Sequence, residues 1–104
     1  MNLNEYQEKA AAYRVPGSCA EERVMGFLEE AGEVAGVFKR LLRGDWNPDQ
    51  CSSALAKELG DCLWYLSQIV EDNGWKLSDI AQSNLDKLED RKIRNVLKGS
   101  GDTR

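Results

Sequence analysis

The sequence predicts an all-α protein, a bundle of about four helices forming one domain over residues 1–104. Three observations carry that expectation. Apolar residues recur at three- and four-residue spacing over long stretches, no stretch alternates with the two-residue period of a strand, and both prolines and several glycines fall at the edges of the periodic stretches.

The first helix is expected from about Asn4 to Tyr13, ending before Pro16-Gly17, where the ring and the missing Cβ both favour a turn. The second runs from near Cys19 to Leu42 and is closed by Gly44. In the turn Gly44-Asp45-Trp46-Asn47-Pro48-Asp49, Asn47 suits an N-cap and Pro48 the first helical position, where its missing N–H costs nothing. The third helix is expected from about Pro48 to Asp72, stopped by Asn73-Gly74. Ser78 then serves as N-cap of a fourth helix, with Asp79 in its first turn and an end near Leu97 before Gly99-Ser100-Gly101.

The faces of these helices define an expected core. On the second, Val24, Phe27, Ala31, Val34, Phe38 and Leu41 form one stripe; on the third, Leu55, Leu59, Leu63, Leu66 and Val70 form another. At about 100° per residue, Trp64 points opposite the second stripe. With Ala54, Cys62 and Tyr65 it makes the third helix apolar nearly all round. A 104-residue chain can hardly bury one helix on every side, so a homodimer interface is expected there.

Composition narrows the function classes. A net charge of −4 opposes broad nucleic-acid binding through phosphate neutralisation. Cys19, Cys51 and Cys62 have no CxxC spacing, so neither a disulfide framework nor a zinc site is expected, and a reducing cytoplasm fits. No stretch approaches 18 apolar residues, so no membrane span is expected.

The residues that point to chemistry are two acidic pairs, Glu30 with Glu33 and Glu58 with Asp61, each spaced i, i+3 on the flank of an apolar stripe. Spacing alone also fits a solvated acidic face. Two features favour a site: the i+4 positions hold Val34, Val37, Cys62 and Tyr65 instead of basic partners, and the flank of a core stripe is where a bare carboxylate is least tolerated. Four carboxylates on facing helices suit a hard cation such as Mg²⁺ or Mn²⁺, and the absence of histidine removes the Glu-x-x-His sites of ferritin-like bundles. On the fourth helix Asn84, Lys87 and Arg91, spaced i, i+3, i+7, share one donor-rich face that suits phosphate oxygens.

Glu29-Glu30-Ala31-Gly32-Glu33, followed after a gap by Glu58-Leu59-Gly60-Asp61, resembles the EExxE…ExxD signature of MazG-like nucleotide pyrophosphohydrolases. Asp61-Cys62-Leu63-Trp64-Tyr65, Asn84-Leu85-Asp86-Lys87-Leu88 with Arg91-Lys92, and Lys98-Gly99-Ser100-Gly101-Asp102 extend the resemblance across roughly Gly26 to Arg104. It implies an all-α dimer or dimer of dimers that hydrolyses nucleoside triphosphates to monophosphate and pyrophosphate with Mg²⁺. By motif position Glu30, Glu33, Glu58 and Asp61 become metal ligands and Glu29 an auxiliary acid that orients or deprotonates water. Tyr65 would line the nucleotide pocket; Asn84, Lys87 and Arg91 would contact phosphate or nucleotide. A non-catalytic helical interaction module is the alternative reading, in which the acids are surface.

Overall fold

The computed structural model describes residues 1–104 and contains four helices and no strand: α1 (Leu3–Ala11), α2 (Ala20–Arg43), α3 (Pro48–Asp72) and α4 (Leu77–Ile93). The all-α expectation holds, and α3 has the expected bounds.

An antiparallel α2–α3 hairpin organises the chain. Its connection begins at Gly44, whose left-handed φ of 78° closes α2, and ends at Asn47. The Asn47 side chain accepts from the Gln50 N–H at 2.8 Å while Gln50 Oε1 accepts from the Asn47 N–H at 2.9 Å. This reciprocal cap satisfies two donors that the helix start would otherwise orphan. Within the same turn, the Arg40 guanidinium stacks 4.7 Å from the centre of the Trp46 ring. Along the hairpin, Val37 meets Cys51, Glu30 meets Glu58, Gly26 meets Tyr65 and Arg23 meets Asp72. The last of these is a two-point ion pair: Arg23 Nε and Nη2 donate to the two Asp72 oxygens at 2.6 and 2.7 Å, with Arg14 on the same carboxylate. The two guanidinium groups hold the Asp72 carboxyl below its ordinary range.

The short helix α1 packs on the opposite side of α3. Trp64 Nε1 donates to the Ala10 carbonyl at 3.0 Å, and Gln68 Nε2 donates to the Gln7 carbonyl at 3.4 Å. Trp64 is therefore covered by α1 and is not the free surface that the sequence argument for a dimer assumed. Instead the apolar excess of α3 emerges on the expected core stripe: Leu59, Leu63 and Leu66 are 52%, 39% and 38% exposed. Ser67, Gln68 and Val70 are buried in their place because α3 turns that side toward α1 and the start of α4. On α2, Val24, Met25, Leu28 and Phe38 are exposed as well, while Val37 is buried.

Helix α4 starts one residue before Ser78, after Lys76, and the expected Ser78 side-chain cap does not form. Its first donors are satisfied from α1: the Leu77 N–H donates to Gln7 Oε1 at 2.7 Å and the Ser78 N–H to Asn4 Oδ1 at 3.0 Å. At the other end α4 stops at Ile93 rather than near Leu97, because Asn95 adopts a left-handed φ of 59°. Packing joins α4 to α1 and to the end of α3, but not to α2.

Candidate functional site

The antiparallel register of α2 and α3 brings the two acidic motifs to the same height. A carboxylate oxygen from each of Glu30, Glu58 and Asp61 lies within 4.8 Å of the other two. Glu30 and Glu58 are half-buried and Asp61 is exposed, so the group opens to solvent on the Asp61 side. Glu33, the fourth expected member, sits one turn further along α2. Its carboxylate lies on the side of Gly36 and Arg40: a Cβ built on Gly36 would be 3.9 Å from Glu33 Oε2 and 3.2 Å from Arg40 Nη1. Glu29 is exposed and acts electrostatically on Glu30.

None of the three acids is in an ion pair with a basic side chain. Glu30 is pushed from an ordinary 4.5 up to about 7, first by a hydrogen bond with Glu58, then by burial, then by the charges of Asp61, Glu58 and Glu29. No cation is among the groups acting on it. As two anions Glu30 and Glu58 have no proton to share, and the buried Glu58 Oε2 is left without a donor. Either a proton on Glu30 or a cation among the oxygens resolves the conflict. In an octahedron with ligands near 2.0–2.1 Å, as for Mg²⁺, oxygens are about 2.9–4.2 Å apart. Three ligands of one octahedron include at least two adjacent pairs at about 2.9 Å, so the carboxylates, now within 4.8 Å of one another, would have to draw together around such an ion.

Cys62 and Tyr6 are neighbours that the sequence reading did not assign to the site. Burial raises the Cys62 thiol, and the charges of Glu30, Glu58 and Asp61 raise it further; burial and then Asp61 raise the Tyr6 phenol. For Cys62 the signal was in the sequence, since it lies four residues after Glu58 and next to Asp61. Tyr6 required knowing where α1 docks.

Two grooves adjoin the acids. One of about 420 Å³ is lined by Cys19, Glu22, Met25, Gly26, Glu29 and Tyr65. Its Tyr65 wall exists because Gly26 has no side chain: a Cβ there would sit 2.3 Å from Tyr65 Cε1. Trp64 also meets the Tyr65 ring in an edge-on contact, 5.0 Å between centres. The other groove, about 570 Å³, runs from Glu58 past Lys57 and Ser53 to Trp46. On α4, Asn84 is exposed, while Lys87 and Arg91 both bind Asp102. Their helix, α4, does not touch α2, which carries Glu30.

The sequence model of the MazG nucleotide pyrophosphohydrolase domain matches residues 20–95, which contain α2, α3, α4 and all three clustered acids. The chain belongs to this family. Over an alignment of 114 residues covering the whole of both chains, it is also 37% identical to the Gene 37 protein of Mycobacterium phage L5. No solved structure gives a significant match. The MazG resemblance read from the motifs is thus upheld. No helix is long and apolar enough to cross a membrane.

Proposed function

We propose that this MazG-family chain hydrolyses nucleoside triphosphates, ribo or deoxy, to monophosphate and pyrophosphate with Mg²⁺, or Mn²⁺ in its place. The observation that carries the reading is the Glu30–Glu58–Asp61 group, whose members are in no ion pair with a basic side chain and whose Glu58 Oε2 has no donor. These three would hold the cation, and Glu33, one turn away, would join them by a side-chain rotation. When bound, the ion lowers the pKa of a water and screens the phosphates. Glu29, at the rim, would orient the attacking water and take its proton. The groove walled by Tyr65 would hold the nucleoside, with the ring offering a stacking face.

Asn84, Lys87 and Arg91 would hold phosphate oxygens. Because α4 does not reach α2 within one chain, the α4 of a second copy is the source we infer for this contact. The exposed Leu59, Leu63 and Leu66 of α3, with the exposed Val24 and Leu28 of α2, would supply apolar surface for such a homodimer or homotetramer. A cytoplasmic nucleotide-pool enzyme would fit this chemistry, with no role for nucleic acid or membrane.

The test is pyrophosphate release from a panel of common and modified NTPs and dNTPs with Mg²⁺. Glu30→Gln and Asp61→Asn are each expected to abolish turnover while the far-ultraviolet circular dichroism stays helical. Release by either variant at near wild-type rate contradicts the site. If the wild type releases no pyrophosphate from any substrate, the same exposed apolar surface favours a non-catalytic helical interaction module.

A further inference from the structure

The donor face of α4 is already engaged by an anion from its own chain. After α4 ends, the backbone reverses through Asn95 at φ 59°, Gly99 at 133° and Gly101 at 85°, conformations that favour residues with little or no side chain. Arg104 ties the returning segment together, donating to the carbonyls of Val96, Leu97 and Gly101 at 3.1, 2.8 and 2.6 Å. The reversal delivers Asp102 to the α4 face. Lys87 Nζ donates to Asp102 Oδ1 at 2.7 Å, and Arg91 Nη2 donates to the same oxygen at 3.1 Å and to the Asp102 carbonyl at 2.5 Å.

The exposures of the three partners are unequal. The Arg91 side chain is 7% exposed, Lys87 is 41% exposed and Asp102 is 78% exposed. A guanidinium with so little water around it needs an acceptor in place, and Asp102 supplies both that Arg91 has. The Asp102 carboxylate itself lies in water, where ion pairs are weak and readily exchanged. Arg91 is thus held in place and the anion is replaceable. The two cations also hold the Asp102 carboxyl below its ordinary range, so it stays charged at neutral pH.

We propose that residues 98–104 form a displaceable strap whose Asp102 carboxylate takes the oxyanion position between Lys87 and Arg91 that a substrate's polyphosphate takes when it binds. This rests on the reading of Lys87 and Arg91 as phosphate-holding residues. Binding of substrate then requires the strap to leave, and a polyphosphate, carrying more charge than one carboxylate, is the class of ligand that displaces it.

The test uses inorganic pyrophosphate on the full chain without divalent cations, a condition in which the acidic cluster repels it. Titration calorimetry is run on wild type, Asp102→Asn and the double variant Asp102→Asn/Lys87→Ala. Removing the competing charge while keeping the side-chain shape is expected to tighten binding about three- to tenfold, the range of one or two exposed ion pairs. The double variant is expected to lose that gain. Equal or weaker binding by Asp102→Asn overturns the strap, because Asp102 would then be neutral to the ligand or part of its site. Absence of binding in all three proteins overturns it too. Pyrophosphate release from NTPs with Mg²⁺, measured on the same wild-type preparation, reports on the hydrolase reading separately.

Discussion

Without divalent cations the protein should lose stability as pH rises from 5 to 8, and Glu30 is the reason. Its carboxyl is raised from 4.5 to about 7 in the fold. Between those values the folded chain holds a proton that the unfolded chain has released, so stability falls as pH rises. Below pH 4.5 both states are protonated and there is no penalty; above about 7 the full penalty of a bare anion beside Glu58 and Asp61 is felt. At about 1.4 kcal/mol per pH unit of displacement the ceiling is roughly 3 kcal/mol. Glu30 is only half-buried, and solvent screening brings the expected loss to about 1–2 kcal/mol. For a domain of this size that is a drop in Tm of about 5–10 °C. The assay is thermal melting followed by circular dichroism in EDTA at pH 5, 6, 7 and 8. The Asp72 carboxyl, lowered from 3.8, acts only below this window. Glu30→Gln carries a neutral isostere and should melt at one temperature throughout, above the wild type at pH 8. A level wild-type Tm across the range, or an undiminished slope in Glu30→Gln, refutes the reasoning.

Three other perturbations follow from the same structure. Saturating Mg²⁺ at pH 8, at about 100 times its Kd, should stabilise the wild type by about 2.7 kcal/mol, and Asp61→Asn should show a much smaller rise in Tm. Asp72→Ala leaves Arg23, with 8% of its side chain exposed, without its anion; the urea midpoint at pH 7 should move down by an amount equal to about 3–5 kcal/mol. Gly26→Ala places a methyl 2.3 Å from Tyr65 Cε1, and the resulting overpacking, about 1–3 kcal/mol, exceeds the roughly 1 kcal/mol of helix propensity gained. A lower Tm with altered near-ultraviolet dichroism from Trp64 and Tyr65 is the expected result, relieved by adding Tyr65→Leu.

Much of the fold was legible because its punctuation is local. Gly44 in the left-handed region, the Asn47–Gln50 cap and Pro48 all act within a few residues, so sequence spacing locates the α2–α3 hairpin. The acidic group was legible for the same reason, since a short connection between two long helices fixes which residues face each other. What lay outside reach were contacts made over long separations. The Ser78 cap failed because Asn4 and Gln7, some 70 residues away, supply its function. Trp64 looked unpartnered because periodicity gives the angle of a side chain but not the helix that covers it; α1 does. Glu33 and Glu30 share a face by spacing, yet the Glu33 carboxylate lies on the side of Gly36 and Arg40, outside the three oxygens that converge.

Gln7 has a consequence for how the chain folds. This one buried side chain donates to Glu71 Oε2 and the Trp75 carbonyl and accepts from the Leu77 N–H. The bonds span 64 to 70 positions along the chain. Closing a loop of that length carries an entropic cost that the α2–α3 hairpin, joined by its own short turn, avoids. The hairpin, and with it the acidic group, is expected to form ahead of these long-range contacts. The direction of α4 depends on the docking of the nine residues of α1. A chain in which α1 has let go would keep its carboxylates together while the start of α4 loses the Gln7 and Asn4 acceptors that orient it.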